Sequence, residues 1–316
     1  MVAAVMPPMP GCMIRQYPSN MQSSGSFTSA RNQLAHGSSR AMRWTAAALA
    51  VAALAACQQR RVTTMAAPTA SDSMQRLGAA APPTGRSLQM ILVVTSDWDA
   101  VPGVMQRYQR DGVHAEWHAV GAEIPVVVGA AGLGWGDGLH GVGSPGERGP
   151  VKHEGDNRSP AGVFRLSSTF GYAPRDSLAW ISMPYAQATD MYKCVDDPRS
   201  LHYNQMLFSN RVSAIDWHSA EDMHRRDSLY RLGVVVEHNA NGREIGGGSC
   251  IFLHIWPGPN GNTSGCTAFA SDAMLALLRW LNPEAMPILV QLPREEYDRL
   301  RGAWALPVHR ASADGR

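Results

Sequence analysis

From Leu88 onward the chain is cut into short apolar runs that Gly, Asn and Pro end before any reaches helical length. The runs are 89–95 (QMILVVT), 126–129 (VVVG), 232–238 (LGVVVEH), 250–255 (CIFLHI) and 287–292 (PILVQL), with a glycine-heavy stretch at 132–138 (GLGWGDG). Apolar runs of this length between turn-forming residues read as strands. Many short strands with turn-rich connections point to a mainly β fold with few helices, a single β-sandwich or barrel-like domain over 88–306.

Helical signals are fewer. Ser271 and Asp272 suit an N-cap for a helix over 273–281 that stops at Asn282-Pro283. Met274, Leu277, Leu278 and Leu281 share one face of it, the face expected on the sheet. Residues 293–301 suit a second helix with Pro293 at its first turn, and Ser219-x-x-Asp222 has the form of a cap opening a short third one. Net charge is +2 with no basic block, so nucleic acid is not expected as a partner. No apolar stretch reaches the ~18 residues of a membrane-spanning helix.

The N-terminal part has another character. Residues 1–41 are rich in Met, Pro, Ser, Gly and Gln without apolar periodicity, which suggests a disordered segment or an upstream start, with Met42 as the working one. Arg43 then precedes the uncharged run 44–56, so 42–56 reads as a signal peptide. Its end, Leu54-Ala55-Ala56-Cys57, resembles a bacterial lipoprotein signal, in which Cys57 becomes the lipidated first residue of the mature chain. Residues 57–87 then serve as anchor and flexible tether, and 307–316 as a polar tail. The resemblance implies an exported protein held in the cell envelope through Cys57. Gln58 suits the periplasmic face of the outer membrane where the organism has one.

The chemistry concentrates in 248–267, Gly-Ser-Cys-Ile-Phe-Leu-His254 and then Thr263-Ser264-Gly265-Cys266-Thr267. A His closing an apolar strand is followed twelve residues later by a Cys on a glycine turn. Imidazole can take a thiol proton, and the thiolate is a strong nucleophile. Gly265 lets the chain turn tightly enough for backbone N–H groups to face a developing oxyanion. His before Cys, without a papain-type signature, argues against papain-like proteolysis.

Thr263-Ser264-Gly265-Cys266, with His254 before it, resembles the signature of the L,D-transpeptidase family, the YkuD-like catalytic domain that acts on peptidoglycan. The upstream stretch 152–164 (KHEGDNRSPAGVF) resembles a second block of that family. Ser264 stands where the family has His, and Ala268 where it commonly has a polar or basic residue, so the chain looks like a divergent branch. The resemblance implies that Cys266 is acylated at the diaminopimelate carbonyl of a stem peptide, with His254 as base and then acid and the Gly265 turn as oxyanion hole. An amine then resolves the acyl-enzyme and gives a crosslink. The alternatives are water as acceptor, in an L,D-carboxypeptidase or amidase-like hydrolase, or a non-catalytic wall-binding lipoprotein.

Around this core, Thr263, Ser264, Trp256, His238 and Arg158 are candidate substrate-binding residues. Trp256 shares a strand face with His254, and Arg158 and Lys152 could hold stem-peptide carboxylates. Each also has a structural alternative: packing for Trp256, a satisfied buried histidine for His238, a solvated cation for Arg158. Pro160 and Gly162 read as a turn. No cofactor is expected, and His153, Glu154 and Asp156 lack metal-ligand spacing. In an exported protein Cys194 and Cys250 could pair or remain buried thiols.

Overall fold

The computed structural model describes residues 81–143 and 148–308. The signal-peptide and lipidation readings at 42–56 and Cys57 lie outside the described residues. Within them the first strands are β1 (Gln89–Thr95), β2 (Pro102–Gln109), β3 (His118–Val127), β4 (Leu133–Trp135), β5 (Ser159–Gly171) and β6 (Tyr185–Gln187). Three short strands follow, β7 (Tyr192–Cys194), β8 (Met206–Phe208) and β9 (Glu221–Asp222). The last four are β10 (Leu232–Val236), β11 (Phe252–Ile255), β12 (Thr267–Phe269) and β13 (Ile288–Pro293). Helix α1 (Ser271–Trp280) lies between β12 and β13, and α2 (Arg294–Leu300) follows β13.

Eight strands close into a barrel in the order β10-β11-β12-β3-β2-β1-β13-β5, with β5 returning to pair with β10. Closure leaves these strands no open edge. The pairs β1–β13 and β11–β12 are parallel and the other barrel pairs antiparallel. Every residue of β1 is buried, because α2 covers the side that the barrel core does not. An unbroken apolar run without alternation is what burial on both faces produces. Strands β8-β7-β9 form a separate small sheet, inserted in the chain between β6 and β10.

Helix α1 buries Met274, Leu277 and Leu278, with Leu281 just beyond its end, the face its spacing marks. Its start differs from expectation: Ala270 is the N-cap residue, no side chain caps the helix, and the Ser271 hydroxyl instead accepts a hydrogen bond from Arg231 at 2.6 Å. The second helix begins just after Pro293. No helix forms at 219–222. Glu221–Asp222 is β9, paired with Lys193 and Cys194 of β7, so sheet pairing overrides the cap-like pattern.

Both domain edges shift outward. Thr84 is fully buried and donates to the Trp304 carbonyl, and Arg110 donates to the carbonyls of Thr84, Gly85 and Ser87. Residues 84–87 therefore belong to the folded body and not to a tether. At the other end Tyr297 donates to the carbonyl of buried Pro307 at 2.5 Å, so the ordered chain continues past 306. Pro160 and Gly162 lie inside β5, not in a turn. Gly162 has φ +138°, and a Cβ there would come within 2.0 Å of the His140 ring, so glycine admits that imidazole against the strand.

Candidate active site

The parallel register of β11 and β12 creates the site. Leu253 pairs with Thr267 and His254 with Ala268. Side chains alternate along a strand, so Phe252 and His254 share a face with Cys266 and Ala268. Cys266 enters β12 two residues before the partner of His254. Ala268 is fully buried beside His254.

The turn that delivers Cys266 is pinned from three sides. The Thr263 N–H donates to Val128 O at 3.1 Å, and the Thr263 carbonyl accepts from Ala130 N–H at 2.8 Å. The Thr263 hydroxyl donates to the Cys266 carbonyl at 2.6 Å and accepts the Gly265 N–H at 3.1 Å. Buried Ser159 also donates to the Cys266 carbonyl, at 2.7 Å, while accepting Gly129 N–H at 2.8 Å. Gly265 sits at φ +152°, and a Cβ there would press on the Arg158 carbonyl at 3.1 Å. The Gly265 N–H is taken up by the Thr263 hydroxyl, so the contribution of Gly265 here is the shape of the turn.

Cys266 is the free cysteine among the described residues and is 7% exposed. Its sulfur accepts the Phe252 N–H at 3.3 Å and faces the Cys250 carbonyl at 3.6 Å. Burial pushes the thiol up to about 12, and the Glu221 carboxylate adds to that push. The Phe252 N–H, a hydrogen bond with Tyr230 and the charge of Lys152 pull the other way. At rest Cys266 is therefore a neutral thiol.

His254 is 6% exposed, and its Nδ1 lies 2.9 Å from the Ile255 carbonyl. A carbonyl can only accept, so Nδ1 carries the proton and Nε2 keeps its lone pair. Burial pulls the imidazole down to about 4, so it is neutral and able to accept a proton near pH 7. The Tyr230 ring packs edge-on against it, 5.1 Å between centroids, and the Tyr230 hydroxyl donates to Glu221 at 2.5 Å.

Cys266 and His254 line one cleft of about 390 Å³, together with Tyr230, Thr263, Ser264 and Gly265. Glu221 of the small sheet also lines it. A disulfide joins Cys194 of β7 to Cys250, two residues before β11, with Cα atoms 5.9 Å apart. Cys250 has φ +56°, and its N–H donates to Asn204 Oδ1 at 3.0 Å. The bridge thus fixes the stretch that supplies both the Cys250 carbonyl and the Phe252 N–H to the sulfur.

Three candidate binding residues lie elsewhere. The Arg158 guanidinium donates to the Trp98 and Leu133 carbonyls and pairs with Asp99 at 2.8 Å, so it fastens a loop and does not line the cleft. His238 is buried, with Nδ1 accepting Asp137 N–H at 3.3 Å and Nε2 donating to Gly247 O at 2.9 Å, which is a satisfied structural histidine. Trp256 lies past the end of β11, where its N–H donates to the Phe269 carbonyl, and it is not in the cleft wall. Tyr230, Glu221 and Ser159 were not singled out in the sequence. Only Ser159, inside the 152–164 block, carried any signal.

A larger cavity of about 1360 Å³, lined in part by Arg86, Arg110 and Trp117, contains no cysteine. Among the described residues no group of three His, Cys, Asp or Glu is placed to hold a metal ion, and no helix is long and apolar enough to cross a membrane. No protein-family profile, curated protein or solved structure matches this chain.

Proposed function

We propose that this chain is a cysteine acyltransferase of the cell wall that performs L,D-transpeptidation on peptidoglycan stem peptides. The supporting observation is the pairing of a buried neutral thiol, Cys266, with a neutral imidazole whose Nε2 is left as a base, in one cleft on adjacent parallel strands. The 152–164 and 263–266 motifs indicate the substrate class. A barrel with two helices is compatible with that family and with other β-barrel proteins.

His254 Nε2 takes the Cys266 proton as sulfur attacks the stem-peptide carbonyl, so charge develops only in the transition state. With the Gly265 N–H occupied, the Cys266 N–H is the nearby turn donor for the oxyanion. The imidazolium returns its proton to the leaving amine, and the thioester passes to an acceptor amine. In the cell the enzyme is exported and anchored in the envelope through lipid on Cys57.

Mass spectrometry after exposure to a tetrapeptide donor tests the reading. An acyl adduct on the peptide containing Cys266, absent from Cys266→Ala, is the expected result. Muropeptide turnover that survives Cys266→Ala would end it.

A further inference from the structure

Tyr230 stands where the base, the thiol and a buried acid meet. It precedes β10, is 3% exposed, and lines the same cleft as Cys266, His254 and Glu221. Its ring packs edge-on against Phe170, Phe252 and His254, with centroids 5.6, 5.7 and 5.1 Å apart. The Arg225 guanidinium lies over the ring at 5.0 Å. A ring packed on this many sides is fixed. The hydrogen on its oxygen is not, because a hydroxyl proton turns to suit its acceptor.

That hydrogen has two claimants. Glu221 accepts it at 2.5 Å, and the Cys266 sulfur is a second hydrogen-bond partner of the same hydroxyl. Burial and the neighbouring charges of Cys266 and Glu221 keep Tyr230 protonated, so it is a donor with one hydrogen to give. The two acceptors also act on each other, since ionised Glu221 opposes ionisation of Cys266, whereas the Phe252 N–H and Lys152 favour it. Glu221 itself is pushed up by burial, with Asp196 and Glu154 adding to the push and Tyr230 and Arg225 opposing it.

We propose that Tyr230 is a further catalytic residue, whose hydroxyl is held by Glu221 at rest and turns to the Cys266 sulfur as negative charge develops there. Tyr230 then assists the nucleophile, and Glu221 restrains it. The inference rests on reading Cys266 as the nucleophile, and it adds the groups that set its reactivity. The thiol proton still goes to His254 Nε2, and the Tyr230 hydrogen changes acceptor without leaving its oxygen. A thiolate that gains this donor is stabilised by a charge-assisted hydrogen bond. A carboxylate competes for the donor as a full charge, whereas a neutral amide in its place would compete weakly. Glu221 reaches the hydroxyl from β9, so the inserted sheet supplies the restraint while the barrel supplies thiol and base.

Alkylation of the full chain by iodoacetamide at fixed pH tests this, with the adduct on the Cys266 peptide followed by mass spectrometry. Glu221→Gln removes the charge and keeps the shape. Tyr230→Phe removes the hydroxyl and keeps the ring. A tenfold change in thiolate fraction alters such a rate only about threefold, because a more acidic thiolate is a weaker nucleophile. Glu221→Gln should therefore react about threefold faster than the wild-type protein, and Tyr230→Phe about threefold slower. Glu221→Gln should also accelerate Tyr230→Phe by less than it accelerates the wild type, since the hydroxyl that it frees is gone.

A site that either change merely loosened would expose the sulfur, and both variants would react faster. It would also favour the bulkier N-phenyl iodoacetamide over iodoacetamide, whereas activation of the thiol changes both rates alike. Melting midpoints establish which variants are folded, and each single variant is decisive without the other. A rate for Tyr230→Phe that is unchanged or raised overturns the proposal. So does a rate for Glu221→Gln that is unchanged, lowered, or raised for the bulky reagent alone. Because alkylation reads the thiol and not acyl transfer, opposite shifts in a protein that forms no acyl-enzyme would overturn the proposed reaction and leave the roles of Tyr230 and Glu221 standing.

Discussion

The imidazole of His254 is oriented by its own chain neighbour: Nδ1 faces the Ile255 carbonyl at 2.9 Å, so Nε2 is the nitrogen that keeps its lone pair. No carboxylate is needed to set this tautomer. Burial holds the imidazole near 4 and Cys266 near 12, so thiol and base are both neutral at rest. Alkylation of Cys266 by iodoacetamide should therefore climb about tenfold per pH unit from about pH 7 to pH 10 without a plateau. A thiolate–imidazolium pair would instead give a rate that is flat from neutral pH upward, and that result would contradict the resting state described. His254→Ala should lower donor acylation by roughly 10²–10⁴ while leaving the far-ultraviolet spectrum unchanged.

The Cys266 carbonyl takes two donors, Thr263 from within the turn and Ser159 from β5. Thr263→Val keeps the side-chain shape but removes one of them and strands the Gly265 N–H. The expected cost is about 1–3 kcal/mol, with acylation slowed by up to ~10²-fold through displacement of the sulfur. Ser159→Ala removes the other donor and strands the buried Gly129 N–H, so a cost of similar size, about 1–3 kcal/mol, is expected. Because each single variant leaves the carbonyl with one partner, the pair should lose more stability than the sum. Additive urea midpoints would show that the two donors act independently.

The juxtaposition of thiol and imidazole was more legible in the sequence than its surroundings. Cys266 and His254 line one cleft because a strand, a tight turn and a second strand lie close together in the chain, so their meeting depends on local geometry. The destinations of Arg158 and His238 are set by Asp99, Leu133, Asp137 and Gly247, which the fold brings in from distant or separately turned segments. β5 was hidden for a related reason. Its Ser-Pro-Ala-Gly start carries turn-forming residues, yet a fully buried Ala161 and an imidazole packed over Gly162 make it strand. Strands of two or three residues such as β7, β8 and β9 have no periodicity to read. They exist because they pair with one another and are tied down at Cys194.

That tie has a measurable consequence. The Cys194–Cys250 bridge spans 56 residues of sequence, a loop whose closure contributes about 4 kcal/mol in the chain-entropy model. Replacing both cysteines by Ser should lower unfolding stability by roughly 2–5 kcal/mol. It should also slow acylation of the still-folded protein, because the Cys250 carbonyl and Phe252 N–H that flank the sulfur lose their anchor. Urea titration paired with acylation rates below the melting range separates the two effects. An unchanged rate in the folded double variant would mean that the bridge stabilises the fold without positioning Cys266.

Acid should unfold the protein earlier than its carboxylates alone would dictate. His140, His238 and His254 are each pulled down by burial to about 4, whereas an unfolded histidine titrates near ~6.5. Below that value the unfolded chain binds protons that the folded chain refuses, so stability is full above about pH 6.5 and falls as pH drops toward 4. Glu221 and Asp137, raised by burial, act in the opposite sense. They are two against three, and their window overlaps only the acidic part of the same range. For a single such histidine the loss approaches about 3 kcal/mol at pH 4, at 1.36 kcal/mol per unit. Melting temperature measured from pH 7 to pH 4.5 should decline throughout, and acid unfolding should take up protons. A flat profile across that interval would mean that the three imidazoles accept protons in place, contrary to the burial that holds each of them down.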